Sequence, residues 1–128
     1  VDIEELTTEN SNFRTAEWTG AFLQMTTMSI EVGGEVGLEI HENTDQFLRI
    51  EAGKAKVLMG KTKDDLSFET EAKDDDAIFV PSGYWHNILN IGEEPLKLYS
   101  IYAPPHHPAE TVHETYAIAM EAEEEEDH

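Results

Sequence analysis

The amino-acid sequence predicts an all-β domain, a sandwich or barrel, followed by a short helix. Three observations lead to this prediction. Short apolar segments alternate with turn residues, prolines follow the last of these segments, and the apolar periodicity then becomes helical. The predicted extended segments are residues 13–19, 21–32, 38–41, 46–51, 54–59, 66–71, 77–80, 86–90 and 96–103.

Glycine and proline residues mark the ends of these segments. The glycines between residues 33 and 37 interrupt the chain after the second segment, and Gly53 separates the fourth segment from the fifth. The Pro-Ser-Gly sequence at 81–83 predicts a tight turn, because proline fixes φ and glycine permits a positive φ. The three prolines within 104–108 end the sheet, since proline cannot donate to a ladder, and a helix is predicted for 111–125.

Composition limits the class of protein. The chain has 128 residues, which fits one domain, and no cysteine, which excludes disulfides and thiolate metal sites. Its net charge is −20 and it has only eight Lys and Arg residues, so neither nucleic acid nor an anionic membrane is expected as a partner. No apolar run reaches membrane-spanning length and no leader pattern opens the sequence, so we expect a cytoplasmic protein.

We expect residues 1–120 to form a single domain and residues 121–128 to form a disordered acidic tail. The carboxylates of this tail are dense enough to repel one another and to remain solvated. An all-β domain of this size also has exposed strand edges that need covering, so a homodimer is expected.

Four polar residues lie where predicted strands meet their turns. Glu39 and His41 are two residues apart on an extended segment, so their side chains point to the same face. Gln46 follows the next turn, and His86 follows the proline-glycine turn. If these regions meet across a barrel, the four side chains converge in an apolar interior. Burying them there without a cation would be costly.

These residues also carry a family resemblance. The segment 34–53 resembles the first motif of the cupin superfamily, in which a glycine, a His-X-His pair, a glutamate and a closing glycine stand at fixed intervals. In this chain Glu39 stands at the first histidine, His41 at the second and Gln46 at the glutamate, and Gly53 closes the motif.

The segment 75–90 resembles the second cupin motif, with Asp75 at the position of its leading glycine. The residues that match in type and spacing are Pro81, Gly83, His86 and Asn90. This resemblance covers roughly residues 20–104 and implies a double-stranded β-helix, or jelly-roll, barrel. The proline-rich segment 104–108 is similar to that of small stand-alone cupins without an assigned substrate, some of them labelled mannose-6-phosphate-isomerase-like.

The resemblance implies one divalent metal ion, Fe, Zn, Mn or Ni, held by Glu39, His41, Gln46 and His86. Glu39 replaces a histidine ligand and Gln46 replaces the carboxylate ligand, so the set still contains two imidazoles and one carboxylate. Gln46 would bind through its amide oxygen or hydrogen-bond a metal-bound water. The alternative is a decayed site, in which the four residues form a polar cluster without metal.

Other candidates carry weaker signals. Tyr102 on the last predicted strand is a candidate substrate-binding residue if its parity points it inward. Exposed loop positions are expected for three histidines, with a position over the barrel mouth as the alternative: His106, His107 and His113. Large apolar side chains on strands mostly pack, so core or interface positions are expected for Trp18 and Trp85, and barrel filling for Met25, Met28 and Leu48.

Three functions are compatible with this sequence. The first is a metal-dependent enzyme of isomerase or dioxygenase type that acts on a small sugar or organic acid. The second is a non-catalytic module that binds a small ligand, and the third is a structural protein with a decayed metal site. The sequence names no catalytic base separate from the metal ligands, so the catalytic residues are unassigned.

Overall fold

The computed structural model describes residues 1–126, with side-chain surroundings through residue 123. The elements, in chain order, are α1 (Ile3–Glu9), β1 (Arg14–Thr19), β2 (Gln24–Ile30), β3 (Asp45–Ala52), β4 (Lys54–Gly60), β5 (Phe68–Lys73), β6 (Ala77–Val80), β7 (Trp85–Asn90), β8 (Leu96–Ala103), β9 (Val112–His113) and α2 (Tyr116–Glu126). A mostly β chain with a C-terminal helix is therefore confirmed.

Two antiparallel sheets enclose the core. One has six strands in the order β6-β3-β8-β2-β1-β9, and the other has three in the order β5-β4-β7. The segment 35–39 lies beside β7, where Glu35 bridges to Leu89 and Glu39 bridges to His86. Because β8 pairs with both β2 and β3, strands distant in sequence become neighbours. This is the predicted double-stranded β-helix arrangement.

The apolar core lies between the two sheets. Inward and outward side chains alternate along the strands, and the inward ones are almost completely buried. The core draws on both sheets through Met28, Ile30, Leu48, Ile50, Val57, Ile88, Leu96 and Leu98. Burying each such side chain stabilises the fold by roughly 1.5–3 kcal/mol. Barrel filling is confirmed for Met28 and Leu48, whereas Met25 is buried outside this core, on the outer face of β2.

Helix α1 is not predicted by the sequence analysis. Its N-cap is Asp2, whose Oδ1 accepts a hydrogen bond from the Glu5 amide at 3.0 Å. The helix packs against β2, β3 and β8 and buries Thr7, whose hydroxyl is satisfied by the Ile3 carbonyl at 2.7 Å. The helix is short and polar, so its stability depends on this docking rather than on an apolar periodicity visible in the sequence.

The C-terminal helix begins and ends later than predicted. Val112–His113 forms β9 against β1 instead of the first turn of a 111–125 helix. Helix α2 then continues to Glu126, so residues 121–126 are helical and the expectation of a disordered tail is wrong there. Alanine and glutamate favour helix, which here outweighs the repulsion between like charges. Positions 127 and 128 lie outside the described residues. Within residues 1–126, no helix combines the length and apolarity needed to cross a membrane.

Helix α2 covers the side of the barrel between β1 and the segment 35–39. The Tyr116 ring meets the Phe13 ring edge-on, with centroids 5.6 Å apart, and Ala119 is fully buried. Gly37 has a φ of +109° and lies against Met120 and Tyr116, with 3.5 Å from the position of an added Cβ to the Met120 sulfur. Glycine therefore lets the chain turn directly beneath the helix.

An apolar row crosses the outer face of the six-stranded sheet. The strand register places five side chains next to one another, and we call them the outer stripe: Phe79, Phe47, Ile101, Met25 and Trp18. Phe79 is 72% exposed and Trp18 is 59% exposed. A core position is therefore wrong for Trp18, because a bulge in β1 after Ala16 shifts its register and directs Trp18 outward.

Candidate metal centre

Backbone pairing holds Glu39 and His86 side by side. The Glu39 amide donates to the His86 carbonyl at 3.0 Å, and the His86 amide donates to the Glu39 carbonyl at 2.9 Å. Residues paired in this way direct their side chains to the same face. His41 follows two residues after Glu39, and its carbonyl accepts a hydrogen bond from the Gly83 amide at 2.8 Å. The proline-glycine turn thus anchors the segment that carries both candidate ligands.

The carboxylate and the two imidazoles converge on one point. One potential ligand atom from each of Glu39, His41 and His86 lies within 4.8 Å of the other two. The Glu39 Oε1 is 3.4 Å from the His41 Nε2 and 3.5 Å from the His86 Nε2. Ligand atoms about 2.1 Å from a shared tetrahedral ion lie about 3.4 Å from each other. The three side chains are therefore placed to bind a metal ion.

The converging atoms are buried and make no hydrogen bonds within the described part of the chain. They are the Glu39 Oε1, the His41 Nε2 and the His86 Nε2, and the other ring nitrogen of His41 likewise makes no hydrogen bond there. The His86 Nδ1 lies 3.2 Å from the Tyr84 carbonyl oxygen. Because a carbonyl only accepts, this nitrogen carries the hydrogen, and in the neutral ring Nε2 keeps its lone pair. Buried polar atoms without partners are rare, so this donor set fits a cation.

The Glu39 carboxylate is ionised at this position. Burial by itself raises its pKa, but the adjacent His41 and His86 rings and the charge of Arg14 together hold that pKa well below its usual range. The group therefore offers an anionic oxygen, which is the form that binds a divalent ion.

Gln46 and Tyr102 face the same interior from the opposite sheet. They are register partners on β3 and β8, and both are buried. The Tyr102 ring meets the His41 ring edge-on, with centroids 5.7 Å apart. The Gln46 Nε2 donates to the Ser100 hydroxyl at 3.2 Å, while its Oε1 is buried without a partner among the described residues. This amide oxygen is the atom through which Gln46 would act as a ligand.

Residues 104–108, which we call the histidine loop, cover the mouth of the barrel. The His106 ring centroid is 4.1 Å from that of His41, and the ring stacks on Tyr102. His107 is only 5% exposed and meets Tyr102 edge-on at 5.3 Å. An exposed loop position is therefore wrong for His107. His106 is exposed but lies over the mouth against His41, which is the alternative that the sequence left open.

One side chain fastens the histidine loop to the sheet. The Gln24 Oε1 accepts hydrogen bonds from the amides of His106 at 3.1 Å and His107 at 2.9 Å. The Gln24 Nε2 donates to the His107 carbonyl at 2.8 Å and to the Thr19 hydroxyl at 2.9 Å. Sequence reasoning missed Gln24, because a single glutamine on a strand gives no signal. The nearest sequence signal for such a residue is the proline-histidine segment itself, because an irregular loop of this kind needs a side chain to hold it.

Burial keeps the groups around the mouth uncharged near neutral pH. His106 remains partly exposed, but desolvation of its ring against His41 and Tyr102, followed by the charge of His41, lowers its pKa to about 4. Burial, followed by the charge of Arg14, lowers the pKa of His107 to about 2. Burial also raises the pKa of Tyr102 to about 12, against the opposing charge of Arg14. A bound molecule at this mouth would therefore meet neutral rings.

Arg14 is a fully buried charge that sequence reasoning missed. Its Nη1 lies 3.3 Å from the His113 Nδ1 and 3.4 Å from the Glu123 Oε1. A guanidinium only donates, so His113 accepts through Nδ1, and burial followed by the charge of Arg14 lowers the pKa of His113. His113 is buried, which overturns its expected exposure, because β9 pairs it directly opposite Arg14. The only available signal was a basic residue within a predicted strand.

Two curated proteins are similar to this chain over most of its length. The chain is 58% identical over 124 residues to the uncharacterised protein YrkC of Bacillus subtilis (strain 168), covering 97% of this chain and 67% of YrkC. It is 38% identical over 109 residues to the uncharacterised protein L612 of Acanthamoeba polyphaga mimivirus, covering 84% of this chain and 66% of L612. The chain thus spans about two thirds of each relative.

The fold agrees with a solved structure and with a family model. The crystal structure of BH2720 from Bacillus halodurans superimposes with a TM-score of 0.94 at 59% identity, covering 94% of this chain and 92% of that one. Residues 26–102, which carry the candidate metal centre, match the family model described as the cupin domain. The chain therefore belongs to the cupin family.

Proposed function

We propose that this cupin is a metal-dependent enzyme of isomerase or dioxygenase type that acts on a small sugar or organic acid. Glu39, His41 and His86 hold one divalent ion, Fe, Zn, Mn or Ni, and Gln46 either completes the ligand set or orients a metal-bound water. The observation that carries this proposal is the convergence of buried ligand atoms from two histidines and an ionised glutamate, which make no hydrogen bond to any described residue.

A two-imidazole, one-carboxylate set leaves coordination positions open for a substrate, and the bound ion supplies Lewis-acid chemistry. The protein residues supply positioning. The Tyr84 carbonyl orients the His86 ring, and the His41 ring contacts both Tyr102 and His106. Tyr102 is proposed to contact the substrate as a neutral hydroxyl, since its pKa is raised to about 12. The neutral rings of the histidine loop limit the access of water.

Elemental analysis of protein purified without added metal tests the metal centre. We expect about one ion per chain in the wild type and loss of that ion in His86→Ala and Glu39→Gln, because each change removes one of the three converging ligands. His106→Gln serves as the matched control, since His106 lies next to His41 but outside the converging group. Metal-free wild-type protein that takes up no ion from Fe, Zn, Mn or Ni solutions would contradict the proposal.

Turnover assays test the catalytic part. We expect metal-dependent conversion of an aldose or a small organic acid, measured with and without iron, and loss of conversion in His86→Ala. Stoichiometric metal without turnover of either class would instead favour the non-catalytic binding module.

We further propose that a second copy of this chain covers the outer stripe, giving a homodimer. The stripe contains no charged residue, although the chain carries a net charge of −20, and it forms one continuous row across five strands. A two-fold axis through its middle would place the Phe79 end against the partner's Trp18 end. Sedimentation should give a dimer for the wild type and a monomer for Phe79→Ser, whereas Val112→Ser, which changes another exposed apolar residue, should remain dimeric. A monomeric wild type would overturn this proposal.

A further inference from the structure

The guanidinium of Arg14 uses one edge and leaves another without a partner. Its Nη1 contacts His113 and Glu123, whereas Nε and Nη2 are buried and make no hydrogen bond to any described residue. The hydrogens on Nε and Nη2 project in parallel from one edge, and this fork matches the two oxygens of a carboxylate. Leaving such a charged donor pair buried and unpaired is costly, so a missing acceptor is indicated.

Arg14 belongs to the same interior as the candidate metal centre. Its register partner is Met28, which lies in the core between the two sheets. Its charge opposes the effect of burial on the pKa of Glu39 and adds to the effect of burial on the pKa of His107. Arg14 is therefore close enough to act electrostatically on both a candidate metal ligand and the histidine loop.

The charges of this interior favour an anionic ligand. A divalent ion would add two positive charges to the one on Arg14, which makes three. The carboxylate of Glu39 beside the ion and that of Glu123 beside Arg14 would neutralise two of them. One further carboxylate would make this group of charges neutral. Buried charges are tolerated only when they are paired, so the same ligand would complete the Arg14 fork and the charge balance.

We propose that Arg14 binds the carboxylate of the ligand, and that the ligand is a small 2-hydroxy or 2-oxo carboxylate whose second oxygen reaches the metal ion. This inference rests on the proposed metal centre and narrows its substrate class to organic acids. The fork supplies the orientation, because two parallel donors fix the plane of the carboxylate. A neutral sugar offers no group that would complete the fork.

Calorimetric titration of the zinc-loaded protein tests the proposal with three probes: glycolate, its neutral analogue glycolamide, and inorganic phosphate. Glycolate should bind, and glycolamide should bind at least about tenfold more weakly, because it lacks the charge that pairs with Arg14. Equal binding of glycolate and glycolamide would overturn the inference. Phosphate binding tighter than glycolate would overturn the assignment to a carboxylate.

Variants then assign the effect to the fork. We expect Arg14→Met to weaken glycolate binding at least about tenfold while zinc remains at one ion per chain, and Arg14→Lys to restore only part of the affinity, since lysine keeps the charge without the fork. Arg49 is the other arginine of the chain and pairs with Glu51 and Asp75 outside the core, so Arg49→Met is the matched control and should bind like the wild type. Unchanged binding in Arg14→Met would overturn the proposal.

The two levels of proposal fail in different ways. A protein that binds none of Fe, Zn, Mn and Ni contradicts the metal centre, but Arg14-dependent binding of glycolate to the metal-free protein would still support the fork. A protein that binds zinc without discriminating glycolate from glycolamide keeps the metal centre and loses the fork. If Arg14→Met does not fold, the comparison of glycolate with glycolamide on wild-type protein decides the question without it.

Discussion

Replacing Gln24 by methionine tests how the histidine loop is held over the candidate metal centre. Methionine has a similar length and fills the buried space, but it removes four hydrogen bonds of 2.8–3.1 Å to Thr19, His106 and His107. Each bond contributes about 1 kcal/mol net. Because the loop amides can be rehydrated if the loop opens, we expect the free energy of unfolding to fall by about 2–4 kcal/mol.

Urea denaturation of chelator-treated protein measures this loss. In thermal unfolding of a domain of this size, a change of 1 kcal/mol shifts the melting temperature by about 4 °C. The melting temperature of Gln24→Met should therefore be about 8–16 °C lower than that of the wild type. Gln46→Met is the matched control, since Gln46 is a buried glutamine on the same register row that makes one hydrogen bond to a side chain. That control should lose about 1 kcal/mol or less.

Amide hydrogen exchange gives a second measurement of the same perturbation. In Gln24→Met the amides of His106 and His107 should lose their protection, while the strand amides of β8 keep theirs. If Gln24→Met is within about 1 kcal/mol of the wild type, or if both loop amides stay protected, the loop is held by its ring contacts and the role assigned to Gln24 is wrong.

Three further predictions concern stability. His107 is neutral in the folded protein, where its pKa is lowered to about 2, but it titrates near 6.5 in the unfolded chain. The free energy of unfolding should therefore fall as the pH drops below 6.5, by up to roughly 1.4 kcal/mol per pH unit. Urea titrations at pH 6.5 and 4.5 should show that His107→Gln removes this part of the pH dependence. Gly53→Ala should lower the free energy of unfolding by roughly 1–3 kcal/mol in thermal melts, and by more than Gly33→Ala does. Both glycines have a positive φ, but only at position 53 would the added Cβ lie 3.1 Å from the Leu96 Cα. Asn90→Leu should destabilise the fold by about 2–4 kcal/mol in urea, since its Nδ2 donates to three backbone carbonyls, whereas an unchanged midpoint would show that water replaces it.

The sequence predicted those features that depend on local signals. Strand positions follow from apolar alternation and from turn residues, and the pairing of Glu39 with His41 on one face follows from the period of a strand. The cupin resemblance then brought His86 toward the same point. All three side chains do converge in the structure, because the backbone pair between Glu39 and His86 joins the two motifs.

The features that the sequence did not predict depend on contacts between distant segments. His107 is buried because Gln24, on another strand, bonds to its backbone, and His113 is buried because β9 aligns it with Arg14. Helix α1 is stable only where it docks on the sheet. No local composition signals these contacts, so propensity and parity favoured exposed loop positions for both histidines.

The closure of the barrel mouth has a consequence for the rate at which an ion would exchange. The His106 ring stands against His41 and the Gln24 amide ties the loop to the sheet, so a chelator in solution would reach the ligands after the loop had detached. Ion release should then proceed at the frequency of loop opening and stay constant as chelator concentration rises. In Gln24→Met, release should become faster even where the equilibrium affinity for the ion is unaltered.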